Sequence, residues 1–329
     1  MTMRAPYSKV ATVFGGSGFI GRYVVRELAS RGWRVRVATR DPGRALFLKP
    51  MGAVGQIVPI FANIRDDASV TAAVAGADYI VNLVGVLYEK GKATFAATHL
   101  EGARRIARAA AEAGCERVIH ISAVGASPSS DSLYARTKAA GEQAVLNAFA
   151  EATILRPSVV FGPEDGFFNR FASIARLSPF LPLIGGGQTR FQPVYVGDVA
   201  DAVMACLDRP ETKGRTYELG GPKVYTFKEL MELLLREINR RRILLPVPWS
   251  VAEVQGSILG ALPKPLLTRD QVSQLRHDNV VTRGAQGLQA LGITPTAVEI
   301  ILPTYMDRFK IGGRFSRRRP TAGMSDLHG

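Results

Sequence analysis

Cysteine is nearly absent: the 329 residues contain two, alongside two tryptophans and four histidines. Two cysteines, Cys115 and Cys206, cannot build a disulfide framework; they fit a reducing compartment and are expected as small core residues. His99, His120, His277 and His328 have no metal-ligand spacing, and neither HExxH nor CxxC occurs, so no metal site is expected. His120 lies in an apolar run and is expected as a satisfied core residue. No apolar run reaches the roughly 18–20 residues of a spanning helix, so no transmembrane segment is expected. The first strand pattern begins near Lys9, which leaves no room for a leader and makes a cytoplasmic location the expectation. Acidic residues are also scarce, 28 against 42 basic ones, for a net charge of +14. Between Arg236 and Pro320 there are 14 Lys and Arg against 6 Asp and Glu. Such a basic surface suits nucleic acid, anionic lipid or an acidic protein. Interleaved aromatic and basic recognition residues are missing, which places nucleic acid last and leaves no nucleic-acid partner expected.

Hydrophobic residues make up 47% of the chain, which excludes a disordered protein. The length suits one large α/β domain plus a smaller lobe. Apolar runs at Val10–Phe14, Val35–Ala38, Ile57–Phe61, Tyr79–Leu83, Val118–Ile121 and Thr153–Leu155 alternate with helical patterns. The patterns include Ile20–Ser30, Ala68–Val74, Phe95–Ala113 and Leu133–Phe149. Asp66 and Asp67 read as a helix start, and Gly76 and Gly114 as stops. This alternation predicts a doubly wound parallel sheet covered on both faces. Residues 1–165 are expected to form that domain, with later segments returning to it, 166–316 a smaller basic α/β lobe, and 317–329 a flexible tail. Helices are expected at Val196–Leu207 and at Thr226–Arg236, the second capped by Thr226. Trp249–Leu262, bracketed by prolines and with Glu253 as its one charge, suits either an interface or packing on its own domain.

Gly15, Gly18 and Gly21 break the first apolar run and lead into a helical pattern. Glycine alone takes the positive φ of such a turn and lets the backbone approach a pyrophosphate. The following helix then points free N–H groups at the phosphates. Strand before, helix after and N-terminal position together make this a nucleotide site rather than a mere turn. The Gly-x-x-Gly-x-x-Gly spacing resembles the short-chain dehydrogenase/reductase superfamily, in its extended and atypical branches, and so implies a Rossmann fold.

Arg40 closes the second apolar run; an arginine there fits the extra phosphate of NADP, where an acid would bind the NAD ribose. Arg22 could share that phosphate, and Pro42 is expected to turn Asp41 away. Tyr134 and Lys138 fit the superfamily's Tyr-x-x-x-Lys, with both side chains on one helical face. Lys138 there would hold the ribose and Tyr134 would serve as acid/base in any hydride chemistry. The third catalytic position departs: Val124 stands where the superfamily has serine or threonine, and Ser122 is expected nearer the nicotinamide. The cofactor site thus reads as complete and the catalytic site as compromised.

The resemblance implies a cofactor shell. Its first part is Gly15, Ser17, Gly18, Phe19, Ile20, Gly21, Arg22 and Arg40. Asn63 and Ile64 follow the third strand, with an amide where many relatives have an aspartate, and Leu83, Val84 and Gly85 follow the fourth. Ser122, Tyr134 and Lys138 come next, with Arg156, Pro157, Ser158 and Val159 from the Arg-Pro-x-x-Val-x-Gly segment.

The glycine run through Val25, Phe61–Asp66, Tyr134–Glu142 and Arg156–Asp165 together look like one family: the NADPH-binding accessory subunits of respiratory complex I, the proton-pumping NADH:quinone oxidoreductase. The resemblance covers about residues 8–240. It implies tightly held NADPH outside electron transfer, and a place where the hydrophilic and membrane arms meet near the quinone site. It also implies neighbouring complex I subunits and anionic lipid headgroups as partners, on the cytoplasmic face of a bacterial inner membrane. A free-standing NADP-dependent reductase or epimerase is the alternative, kept open by Tyr134 and Lys138.

Overall fold

The computed structural model describes residues 9–262, 265 and 267–313. The flexible tail expected at 317–329 lies outside the described residues. Six strands follow the expected apolar runs: β1 Val10–Phe14, β2 Arg34–Thr39, β3 Ile57–Phe61, β4 Tyr79–Asn82, β5 Arg117–Ile121 and β6 Thr153–Pro157. A seventh, Thr216–Leu219, completes one parallel sheet ordered Thr216–Leu219, β6, β5, β4, β1, β2, β3. The order reverses between β1 and β4, and the crevice beyond their C-terminal ends is where such sheets take ligands.

Helix α1 (Phe19–Ser30) and the helix Val196–Asp208 cover one face, burying Val13, Val24, Leu28, Val199 and Val203 completely. Helices α2 (Asp67–Val74), α3 (Ala103–Glu112) and α4 (Leu133–Ala148) cover the other, over Val70, Ile80, Ile106 and Ile154. Burial on both faces explains why the strands are apolar without alternation. Asp66 caps α2, its Oδ1 accepting the Ala68 N–H, and Gly76 and Gly114 take positive φ after their helices. Thr226 caps the helix Phe227–Glu237 in a reciprocal box with Glu229.

Before α3 the chain widens into a π-helical turn, Ala96–Gly102. Gly141 of α4 packs against it so closely that a Cβ there would lie 2.0 Å from the His99 carbonyl oxygen.

The lobe gathers Phe168–Leu177, Phe227–Glu237 and Val298–Met306 around the paired strands Phe180–Ile184 and Ile243–Val247. Phe161, Phe168, Leu181, Leu230, Leu234 and Leu302 are its core. Trp249–Gly260 is a helix packed on its own domain through the buried Ala252 and Gly256, with Val251, Val254 and Ile258 exposed. Cys115 and Cys206 are buried and unpaired. No described helix is long and apolar enough to cross a membrane.

Candidate nucleotide site

The turn from β1 into α1 is built by its glycines. Gly15 takes φ +79°, and its carbonyl accepts the Gly18 N–H at 2.9 Å. A Cβ on Gly21 would lie 2.3 Å from that same oxygen, so only glycine lets the helix start there. Gly18 is the N-cap of α1 and no side chain caps the helix, which leaves its first N–H groups for an anion. Ser17, Phe19 and Ile20 are half-buried around this turn.

Leu83, at the end of β4, faces the turn across the crevice: its N–H donates to the Phe14 carbonyl at 2.9 Å, and a Cβ on Gly15 would lie 3.1 Å from its carbonyl carbon. Asn82 orders the next residues, its Oδ1 accepting the Val84 N–H at 3.1 Å. Its Nδ2 lies 3.0 Å from His120 Nδ1. With the amide fixed that way, His120 accepts at Nδ1 and keeps its proton on Nε2. That Nε2 is buried without a hydrogen-bond partner, so His120 is a core residue but only half satisfied. Burial holds its pKa down to about 3.

Tyr134 and Lys138 start α4 on one face. Lys138 is buried; its Nζ donates to the Ile121 carbonyl at 3.1 Å and sits 6.0 Å from the Tyr134 ring centroid. Burial pulls Lys138 down to about 8, and burial with the charge of Asp270 pushes Tyr134 up to about 12. Tyr134 stands edge-on to Phe95 and to His99, with centroids 5.8 and 5.2 Å away. His99 accepts the Val86 N–H through Nε2 and meets Thr137 Oγ1 at 3.1 Å through Nδ1. Those bonds need a neutral ring, and burial first, then the Lys138 charge, holds its pKa down to about 3. Gly85 lies beside Lys138. His99, one of four histidines without ligand spacing, is therefore a structural part of this site that the sequence pattern does not single out.

At the end of β5, Ser122 Oγ is buried with no hydrogen-bond partner. Val124 is also buried, with its N–H on the Pro157 carbonyl, so the position where the superfamily has a hydroxyl carries none. Arg156 gives both Nε and Nη2 to Glu142, at 2.9 and 2.6 Å, and approaches Glu218 at 3.4 Å. Its guanidinium is committed to those carboxylates, so any contact it makes with a cofactor falls to its main chain. Ser158 and Val159 are held by Asn279: the Ser158 hydroxyl donates to Oδ1 at 2.7 Å and the Val159 N–H at 2.8 Å. Asn279 and Asp270 reach the site from far along the chain, and no local sequence pattern marks them.

Around the second strand, Arg40 is exposed. Asp41 caps the following 3-10 helix Pro42–Met51, accepting the Arg44 N–H and pairing with Arg44 at 3.2 Å, turned to its own segment as Pro42 suggests. Asn63 Oδ1 accepts the Arg65 N–H at 3.2 Å, and Ile64 packs on Gly102. Arg22 pairs with Glu164 at 3.2 Å.

These residues fit a dinucleotide. The glycine turn gives a cradle that a Cβ would fill, α1 offers uncapped N–H groups, and Ser122 offers an orphaned hydroxyl next to the buried Lys138. Bound there, a nicotinamide nucleotide would supply hydride chemistry; the chain would supply the anion site, a ribose donor in Lys138 and a protonated Tyr134. Among the described residues no group of His, Cys, Asp and Glu could hold a metal ion.

The description "NAD dependent epimerase/dehydratase family" matches residues 11–220. The chain is 39% identical over 316 residues to NADH dehydrogenase [ubiquinone] 1 alpha subcomplex subunit 9, mitochondrial, of Arabidopsis thaliana, covering 92% of this chain and 79% of that protein. It is 36% identical over 301 residues to the NADH-ubiquinone oxidoreductase 40 kDa subunit, mitochondrial, of Neurospora crassa, covering 91% and 79%. Among solved structures, the dTDP-glucose 4,6-dehydratase DesIV of Streptomyces venezuelae, with NAD and TYD bound, superposes with a TM-score of 0.70 at 22% identity, over 91% of this chain and 96% of that one. That likeness speaks for the fold alone. The chain belongs to the NAD dependent epimerase/dehydratase family and is a homologue of mitochondrial complex I subunits.

Proposed function

We propose that this chain is an accessory subunit of a proton-pumping NADH:quinone oxidoreductase that holds NADPH as a structural element rather than as a redox partner. The observation that carries the reading is an imbalance within one site. The phosphate cradle of Gly15, Gly18 and Gly21 is intact, while Val124 puts no hydroxyl at the position two residues beyond Ser122, and burial, then the charge of Asp270, works against ionisation of Tyr134. An enzyme under selection for hydride transfer would need both halves; a subunit that uses the nucleotide as a scaffold needs only the first. The exposed Arg40 supports NADPH over NADH, and Asp41 is occupied by Arg44. The homology to mitochondrial complex I subunits supports the assembly.

In this reading the Rossmann domain faces the cytoplasm of a bacterium and the lobe meets neighbouring subunits and anionic headgroups near the quinone site. The exposed Val251, Val254 and Ile258, within a stretch of sequence rich in basic residues, support that placement. Purification from native membranes in mild detergent tests it: co-migration with complex I subunits and a stoichiometric nucleotide are expected. Migration as a free protein that oxidises NADPH with a small carbonyl substrate would favour the second reading, a reductase or epimerase, which Tyr134 and Lys138 support.

A further inference from the structure

Three side chains from three separate segments meet over the N-terminal end of α1. The Arg22 guanidinium carbon lies 5.1 Å from the centroid of the Phe47 ring. On its other side Arg22 Nη1 lies 3.2 Å from Glu164 Oε1. Glu164 is itself anchored, because the Tyr23 hydroxyl donates to its Oε2 at 2.9 Å. Burial and the neighbouring carboxylate raise the Tyr23 pKa, so it stays a donor. Phe47 belongs to the 3-10 helix that follows β2, and Glu164 to the loop after the short strand Val160–Phe161, which follows β6 and pairs with Val194–Tyr195. In the sheet β2 and β6 lie on opposite sides of β1, so Arg22 ties a segment that leaves one side of the sheet to a segment that leaves the other.

Packing alone does not account for this arrangement. Phe47 is 44% exposed. Arg22 Nε is buried and has no hydrogen-bond partner. A buried guanidinium N–H left unpaired is costly, and a phosphate oxygen is the acceptor that suits it. The uncapped N-terminus of α1, one turn away, is where that phosphate would sit.

We propose that Phe47, Arg22 and Glu164 form a latch across the pyrophosphate end of the nucleotide site and set how slowly the nucleotide exchanges. The inference rests on the reading that this crevice holds a nicotinamide dinucleotide. Glu164 and the Phe47 ring hold the Arg22 arm over the opening, and Nε donates to a phosphate oxygen beneath it. Entry or exit requires the arm to swing out, which breaks the ion pair and the cation–π contact together. A latch slows both directions, whereas a plain contact acts mainly on release.

The test uses the full-length protein. Stopped-flow mixing with NADPH gives the association rate, and displacement of bound NADPH by excess NADP+ gives release. Glu164→Gln and Phe47→Ala should each speed both rates by about threefold or more, the scale of a partly exposed ion pair or cation–π contact. Kd should move less than either rate. Phe47→Ala removes an exposed side chain, so it reports even if Glu164→Gln folds poorly. Unchanged rates in Phe47→Ala, or faster release with unchanged association, would overturn the latch. Wild-type protein that binds neither NADPH nor NADH would overturn the nucleotide reading and the latch with it.

Discussion

Asp270 caps a helix 137 residues earlier in the chain: its Oδ1 accepts the Leu133 main-chain N–H at 2.6 Å. Its Oδ2 takes the Ser132 hydroxyl at 2.9 Å, the Tyr134 N–H at 3.3 Å and Gln274 Nε2 at 2.9 Å. A lobe carboxylate thus sits on the positive end of α4 and binds the lobe to the helix that carries Tyr134 and Lys138. Asp270→Ala should cost about 1–2 kcal/mol of stability, the scale of a lost cap with its dipole contact. Asp270→Asn should restore part of it. Urea unfolding of the three proteins checks the order; equal midpoints would make the contact incidental.

The nucleotide extracted from native protein should be NADPH, identified by mass. Arg40→Glu should weaken NADPH by at least about tenfold, equivalent to about 1.4 kcal/mol, and leave NADH less affected. A stoichiometric NAD(H) signal from the wild type would sink the assignment.

The sheet was legible because parallel strands buried on both faces read as uninterrupted β-branched runs, and β1 and β3 begin and end where the apolar runs do. The seventh strand was missed as a strand because Thr216 and Glu218 break its apolar pattern; Glu218 is instead buried against Arg156 and Thr282. Pro42–Met51 has Pro50 inside it and no periodicity to announce a helix. The π-helical turn at Ala96–Gly102 coincides with the tight approach of Gly141, a relation between two helices that no local pattern carries. The same limit hid Asp270 and Asn279. The glycine turn, Tyr134 and Lys138 were readable since backbone geometry and helical spacing are local; the half-satisfied state of His120 was not, since its partner lies on the neighbouring strand.

Acid should unfold this protein early. Burial lowers His99 and His120 from an ordinary 6.5 to about 3 in the fold. Below pH 6.5 the unfolded chain binds a proton at each, while the folded chain does not until about pH 3. Their contribution is therefore intact above 6.5 and is lost as pH falls from there toward 3. The loss is on the order of a few kcal/mol per histidine. Urea midpoints measured at pH 7, 5 and 4 should fall less steeply in His120→Gln than in wild type, and parallel slopes would contradict the assignment.

Tyr134→Phe should leave quinone reductase activity of the assembled complex nearly unchanged, because a structural nucleotide needs no acid/base. Gly18→Asp should lower assembly instead. Gly18 is exposed, so the aspartate side chain reaches the space where the pyrophosphate should lie, although its Cβ sits a tight 3.1 Å from the Gly15 carbonyl oxygen and the turn must give slightly; circular dichroism of the isolated variant checks that it folds. Loss of activity in an assembled Tyr134→Phe complex would make the site catalytic after all.

The C-terminal lobe should bind anionic vesicles. Arg236, Arg240, Arg241 and Arg242 cluster at the end of Phe227–Glu237, next to the exposed Ile243 and Leu245. The helix Trp249–Gly260 adds Val251, Val254 and Ile258, while Trp249 itself is wedged against Gly185 under Arg276. Each basic residue near an anionic surface contributes about 1 kcal/mol, so several together hold a protein peripherally without a spanning helix. Binding to cardiolipin-containing vesicles at low salt, lost as salt rises, is the expected result. Arg240→Glu with Arg241→Glu should weaken it by more than about tenfold, since each reversal replaces attraction with repulsion. A double variant that binds as tightly as wild type would move the contact to other residues of the lobe, and a wild type that ignores the vesicles would assign the basic surface to acidic patches on neighbouring subunits.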